Sequence, residues 1–176
     1  MPLSHLADLP QHYLKPGELI RTEQPAVVTT VLGSCVSVTL FHRHSGSAAI
    51  CHVLHPRCPR PEACDDRCDA AYRYAPCAVT AMGHWMSARG ARPGQIEVKL
   101  FGGAAMMARR PGQNASHSIG RLNVEAALEA MEALHLSLKV ADVGGTAGRK
   151  ILFDTGSGEV WLKRLTPVDP IGESAI

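Results

Sequence analysis

Apolar residues alternate with period two along residues 35–41 and again along 46–54, on either side of the polar run His42-Arg43-His44-Ser45, a pattern that predicts two strands joined as a hairpin. If those four polar residues form the turn, Phe41 faces Gly46 and, at the far end, Cys35 faces His52. Directly opposed side chains stand roughly 4.5–5.5 Å apart at Cβ. A two-residue shift in pairing would leave Cys35 and His52 as diagonal neighbours on one face, and a one-residue slip would part them. The other face would carry Val36, Val38, Leu40, Ala49 and Cys51 as a core layer.

The remaining pattern supplies further elements. A β-branched run over 26–32 predicts a buried strand leading into Gly33-Ser34-Cys35, and a short strand is expected over 18–21. Pro76 suits a first helical turn, Val79, Met82 and Met86 recur at helical spacing, and Gly90 ends the segment. Ile96, Val98 and Leu100 alternate as a strand ending in Phe101-Gly102-Gly103-Ala104, where paired glycines admit a close backbone approach by a ligand or another element. Val124, Leu128, Met131 and His135 predict a second helix, with His135 at its end. Strands over 136–142, 149–154 and 159–165 follow, the last two joined through Thr155-Gly156-Ser157-Gly158. About eight strands and two helices define an α/β protein with mixed sheets.

Composition narrows the class. A chain of 176 residues is expected to form one domain, residues 1–176, burying about 70% of its unfolded surface. The net charge of +2 comes from scattered residues and only 5% are aromatic, so neither a basic stripe nor a base-stacking platform for nucleic acid is present. No stretch approaches the roughly 18 apolar residues of a membrane span, and Met1 to Pro10 lacks a signal-peptide pattern, so a cytoplasmic location is expected. The tail from residue 166 reads as loose.

In a reducing compartment six cysteines point to thiols, ligands or a nucleophile rather than disulfides. Residues 57–69 form a Cys- and Pro-rich insertion in which Cys58, Cys64 and Cys68, with Cys77 beyond, are candidate zinc ligands. Their C-x5-C-x3-C spacing departs from paired C-x2-C knuckles, and a surface insertion without metal is the preferred reading. Cys35 differs from these. It follows a Gly-Ser kink at the start of a strand, with a histidine within reach, and a thiol beside an imidazole makes a nucleophile and its base. Gly102-Gly103 is no phosphate loop, because no Gly-Lys-Ser/Thr follows.

Leu32-Gly33-Ser34-Cys35-Val36-Ser37-Val38, His52-Val53-Leu54 with Pro56, Lys99-Leu100-Phe101-Gly102-Gly103-Ala104, Ile119-Gly120-Arg121-Leu122-Asn123-Val124, and Asp142-Val143-Gly144-Gly145 with Arg149 occur in an order that resembles the CheD family of chemoreceptor glutamine deamidases. The resemblance implies a layered sandwich of mixed β-sheets flanked by helices, shared with deamidating bacterial toxins. It implies Cys35 as nucleophile and His52 as base, acting without a cofactor on glutamines of methyl-accepting chemotaxis receptors through a thioester. Methyl-ester hydrolysis would be a side activity and a CheC-type phosphatase a partner. The family's third residue, a threonine six positions before the cysteine, falls on Thr29, with Thr30 beside it. Backbone groups at Gly33 and Ser34, and at Gly102 and Gly103, are candidates for the oxyanion site or substrate pocket. A neighbouring imidazole is expected to raise the thiolate fraction of Cys35 at neutral pH. This chain departs from the family pattern at His55, usually leucine, and in the Cys-rich insertion; Arg73 and Tyr74 resemble a family pair that borders the cleft. Two other readings stand beside the deamidase: a CheC-binding regulator, and a thiol redox or zinc protein built on the insertion.

Overall fold

The computed structural model describes residues 3–60, 68, 70–105 and 118–165. Its strands are β1 (Gln11–Tyr13), β2 (Leu19–Thr22), β3 (Val27–Leu32), β4 (Val36–His42), β5 (Ser47–Cys51), β6 (Glu97–Gly102), β7 (Leu138–Val143), β8 (Arg149–Asp154) and β9 (Val160–Arg164). The helices are α1 (Ala75–Ser87) and α2 (Ile119–Ala133). The strands form two sheets, one in the order β1-β3-β8-β9 and the other β2-β5-β4-β6-β7. Both are mixed, since β1 runs parallel to β3 and β6 parallel to β7 while the other neighbours are antiparallel. Helix α2 makes the crossover between the parallel strands β6 and β7, a connection that cannot be a tight turn.

Two cores explain the layering. Val28, Leu32, Ile151 and Phe153 of the four-stranded sheet meet Phe41, Ala48, Ile50 and Phe101 of the five-stranded one. On the far face of the larger sheet, Val36, Val38, Leu40, Ala49, Cys51, Val98 and Leu100 pack under Val79, Met82 and Met86 of α1 and Ala126, Ala127, Ala130 and Met131 of α2. All seven residues of β4 are buried, as expected of a strand covered on both faces. The α/β layered sandwich and the expected core layer of Val36, Val38, Leu40, Ala49 and Cys51 are therefore present.

Three expectations shift. The hairpin pairs His42 with Ser47 and Phe41 with Ala48, two residues away from the predicted register. His42 stays in the strand because its Nδ1 meets Ser45 Oγ at 2.7 Å, and Gly46 closes the turn with φ of 68°. On α2, Leu128 is exposed, and the buried stripe is made by alanines small enough to let the helix approach its neighbours. Strand β1 has no counterpart in the sequence pattern, because its three exposed residues carry no alternation. Of the Cys-rich insertion, residues 61–67 and 69 lie outside the described residues, as does the tail from 166.

Phe153 is fully buried between the sheets, so Phe153→Ala is expected to lower stability by about 3–5 kcal/mol in urea unfolding. A loss below about 1 kcal/mol would mean the two sheets do not share this core.

Candidate active site

Residues Gly33, Ser34 and Cys35 carry the chain from the end of β3 in one sheet to the start of β4 in the other. This turn is held from two sides. The Gly103 amide donates to the Cys35 carbonyl at 2.8 Å, and the Ala104 amide donates to the Gly33 carbonyl at 2.9 Å. The approach is so close that a β-carbon on Gly102, whose φ is 108°, would overlap the Cys35 carbonyl oxygen. A β-carbon on Gly103 would overlap the Val124 side chain. The paired glycines therefore admit another element rather than a ligand. Gly103, a candidate for the oxyanion site, has its N–H committed to Cys35, which removes that donor from the pocket. Among the described residues the amides of Ser34 and Cys35 have no backbone acceptor, and the Cys35 amide interacts with its own thiol.

The same register shift changes how Cys35 meets His52. Val36 and Val53 exchange both backbone bonds, at 3.1 and 2.8 Å, which sets Ser37 opposite His52 and Cys35 opposite Leu54. Cys35 and His52 are diagonal neighbours rather than direct opposites, still on the face that looks across to the other sheet. Diagonal pairs lie roughly 7–8 Å apart at Cα, within side-chain reach. Cys35 is half-buried and packs against the inter-sheet core. His52 is buried, with 2% of its surface exposed.

The imidazole reaches across the sandwich. His52 Nδ1 lies 2.7 Å from Thr30 Oγ1, and that hydroxyl donates to the Leu14 carbonyl at 2.8 Å. A threonine hydroxyl has one proton. With that proton on Leu14, the Thr30 oxygen accepts from Nδ1–H, so Nε2 carries the lone pair, and Nε2 is buried without a hydrogen-bond partner. The residue on His52 is thus Thr30 and not Thr29. Thr30 is fully buried, whereas Thr29 is its neighbour in an alternating strand and points to the other face. Leu14, just past β1, supplies the acceptor; as a lone apolar residue in a polar stretch it gave only a faint signal in the sequence, yet it is fully buried.

Electrostatics define the resting state. Burial pushes the Cys35 thiol up, with its own amide pulling slightly back. Burial pushes His52 down, offset in part by the Leu14 carbonyl and by Glu18. Both shifts favour neutral groups, so the expected excess of thiolate is replaced by a thiol beside an uncharged base. A neutral thiol and an uncharged imidazole are the groups from which general-base acyl transfer starts.

Other candidates lie apart or at the border. The amides of Leu54 and His55 donate to the Arg73 carbonyl, and the His55 ring lies 5.8 Å from that of Tyr74, so this trio abuts the strand that carries His52. Cys58, Cys68 and Cys77 are half-buried, and Cys64 lies outside the described residues. Among the described residues no cluster of three His, Cys, Asp or Glu is arranged to hold a metal. Also among them, no helix is long and apolar enough to cross a membrane. Asn123 of α2 lies within the Ile119–Val124 motif; its Nδ2 donates to the carbonyls of Ser34 and Leu54, at 3.0 Å each.

The chain is thus a layered α/β sandwich with Cys35 and His52 on the face between its sheets. Residues 59–164 match the family model described as CheD chemotactic sensory transduction. A relative from Geobacter sulfurreducens named "Probable chemoreceptor glutamine deamidase CheD 2" is 48% identical over 160 residues, covering 89% of this chain and 91% of its own. Another, from Maridesulfovibrio salexigens and named "Probable chemoreceptor glutamine deamidase CheD", is 38% identical over 90% of this chain and 94% of its own. The solved structure of YlmD from Geobacillus stearothermophilus is similar over 77% of this chain and 60% of its own, at TM-score 0.47 and 12% identity, too slight a likeness to weigh. The chain belongs to the CheD family.

Nitrogen-15 spectra at pH 7 are expected to show His52 protonated at Nδ1 and bare at Nε2, with a midpoint below the ordinary histidine value near 6.5. The opposite tautomer would remove Nε2 as a base. The lowered His52 pKa makes the unfolded state the better proton binder, so the stability it contributes is complete above about pH 6.5 and falls as pH drops through that value. The raised Cys35 thiol acts in reverse, contributing below its ordinary value and less as pH rises past it.

Proposed function

We propose that this chain is a cytoplasmic protein-glutamine deamidase acting on chemoreceptors, with Cys35 as nucleophile, His52 as general base and acid, and Thr30 as the residue that orients the imidazole. The observation that carries the reading is the Thr30–His52 hydrogen bond, which leaves Nε2 unprotonated and unpartnered on the face shared with Cys35. Family membership and the names of the relatives support the substrate class.

The reaction follows from the groups present. Cys35 Sγ attacks the carboxamide carbon of a substrate glutamine as its proton passes to His52 Nε2. The carbonyl π pair moves to oxygen, and the amides of Ser34 and Cys35, which have no backbone acceptor among the described residues, are the donors offered to that oxyanion. When the tetrahedral centre collapses, the C–N bond breaks and His52 returns the proton to nitrogen, releasing ammonia and leaving a thioester. Water, deprotonated by Nε2, attacks the thioester carbon. The thiol is restored and the side chain leaves as glutamate. A glutamyl methyl ester on the same receptor would pass through the same thioester with methanol as leaving group. A CheC-type phosphatase as partner rests on family membership alone, whereas the relatives' names support an enzyme over a purely CheC-binding regulator. The redox or zinc reading rests on the insertion, of which residues 61–67 and 69 lie outside the described residues.

Incubation with receptor cytoplasmic fragments, followed by mass spectrometry, is expected to show Gln-to-Glu conversion at particular sites, and none with Cys35→Ala. His52→Ala is expected to lose about 10²- to 10⁴-fold in turnover with the fold retained. Thr30→Val should lose about 10- to 100-fold, the worth of a hydrogen bond to a group that becomes charged, whereas Thr29→Val should stay within a few-fold. Near-normal turnover in His52→Ala would remove it from the mechanism, and equal losses at positions 29 and 30 would remove the specific role of Thr30.

A further inference from the structure

Where the β4–β5 ladder runs out, the two chains are joined by a side chain from a third element. Regular pairing extends from His42 and Ser47 to Thr39 and Ile50, and an isolated bridge at Val36 and Val53 follows. Beyond that bridge, no backbone bond joins residues 33–35 to residues 54–55. This is the end at which Cys35 and His52 must keep a working separation. Asn123 of α2 fills the gap. One of its two amide hydrogens goes to the carbonyl of Ser34, which immediately precedes the nucleophile, and the other to the carbonyl of Leu54, the residue opposite Cys35 in register.

We propose that Asn123 is a positioning residue whose two donors set the spacing between the nucleophile turn and the histidine strand, and so the line of proton transfer from Cys35 Sγ to His52 Nε2. The proposal rests on the assignment of those two residues as nucleophile and base.

The chemistry at position 123 favours a positioning role over simple filling. Asn123 is fully buried, both donors are used, and its Oδ1 has no partner. A bare buried acceptor is unfavourable, and an apolar side chain of similar size would avoid it. What such a side chain lacks is the pair of donors, and the donors are aimed at the two strand ends that frame the catalytic pair. The base of the side chain is fixed as well. A β-carbon at Gly120 would meet the Gly103 carbonyl oxygen at 2.5 Å, so the first turn of α2 lies directly against the segment that holds Cys35. Helix, glycine pair and nucleophile turn are therefore packed directly together, and Asn123 ties the histidine segment to them. Neutral thiol and neutral imidazole attract each other weakly, so their alignment has to come from the surrounding backbone.

The test uses the full chain with receptor fragments and three variants. Asn123→Leu keeps the size and removes both donors; Asn123→Ser keeps one donor on a shorter arm; His52→Ala reports on the assignment beneath the proposal. With thermal unfolding recorded to score the folded fraction, kcat per folded molecule is expected to fall about 10- to 100-fold in Asn123→Leu and less in Asn123→Ser, with KM within about twofold of the parent. The readout that separates positioning from stability is alkylation of Cys35 against pH. In Asn123→Leu the part of the rate that depends on His52 should shrink, so its profile approaches that of His52→Ala. An unchanged kcat per folded molecule, or an alkylation profile identical to the parent's, would overturn the positioning role while leaving the catalytic pair standing. Full activity in His52→Ala would instead sink the pair itself.

Discussion

The structure of the site depends on one hydrogen bond between the two sheets. Thr30 belongs to the four-stranded sheet, and His52 lies just past β5 of the five-stranded one, so their 2.7 Å contact fixes an imidazole across the inter-sheet core. Because the hydroxyl spends its proton on the Leu14 carbonyl, it fixes the tautomer as well as the ring. Several otherwise unrelated features follow from that constraint. The short parallel strand β1 is needed to bring Leu14 beside β3, and the Leu14 amide bonds back to Thr29 to complete the ledge. The neighbouring threonine contributes a carbonyl while Thr30 contributes the side chain.

A second constraint acts on the thiol. Cys35 sits on the segment that crosses between sheets, a place where a free loop would wander, and here it is pressed by Gly102 and Gly103 and tied through Gly33, Cys35 and Ser34 to three separate groups. Burial leaves both thiol and imidazole neutral at rest. In the proposed mechanism, alignment therefore relies on geometry held by packing, with charge appearing only as the proton moves. This is a different emphasis from a standing thiolate–imidazolium pair, and it places the burden on the backbone that surrounds the two side chains.

Much of this was legible in the chain, and the failures have particular causes. The alternation around the hairpin revealed the strands, the core layer and the shared face of Cys35 and His52, because period two survives a two-residue shift. The register itself depended on where a turn begins, and His42 looked like a turn residue until its bond to Ser45 placed it in the strand. Counting back from the cysteine picked Thr29, whereas the alternating pleat of β3 decides which threonine faces the histidine, and the start of the cysteine turn cannot be counted without knowing where the strand ends. Leu14 and Asn123 act through a backbone carbonyl and through long-range contacts, neither of which leaves a local pattern. The glycine pair was ambiguous between ligand and neighbour until the nucleophile turn was seen against it.

The proposed deamidation depends on acylation of Cys35 as the thiol proton passes to His52. Rapid acid quenching of the protein during turnover of a receptor fragment, with intact-mass and peptide mapping, tests it most directly. A covalent adduct of receptor mass less ammonia on the Cys35 peptide, labile to hydroxylamine and greatly reduced in His52→Ala, is the expected result. Glutamate formation at the normal rate with no adduct on Cys35 at any time point, or with the adduct on another cysteine, would contradict the account.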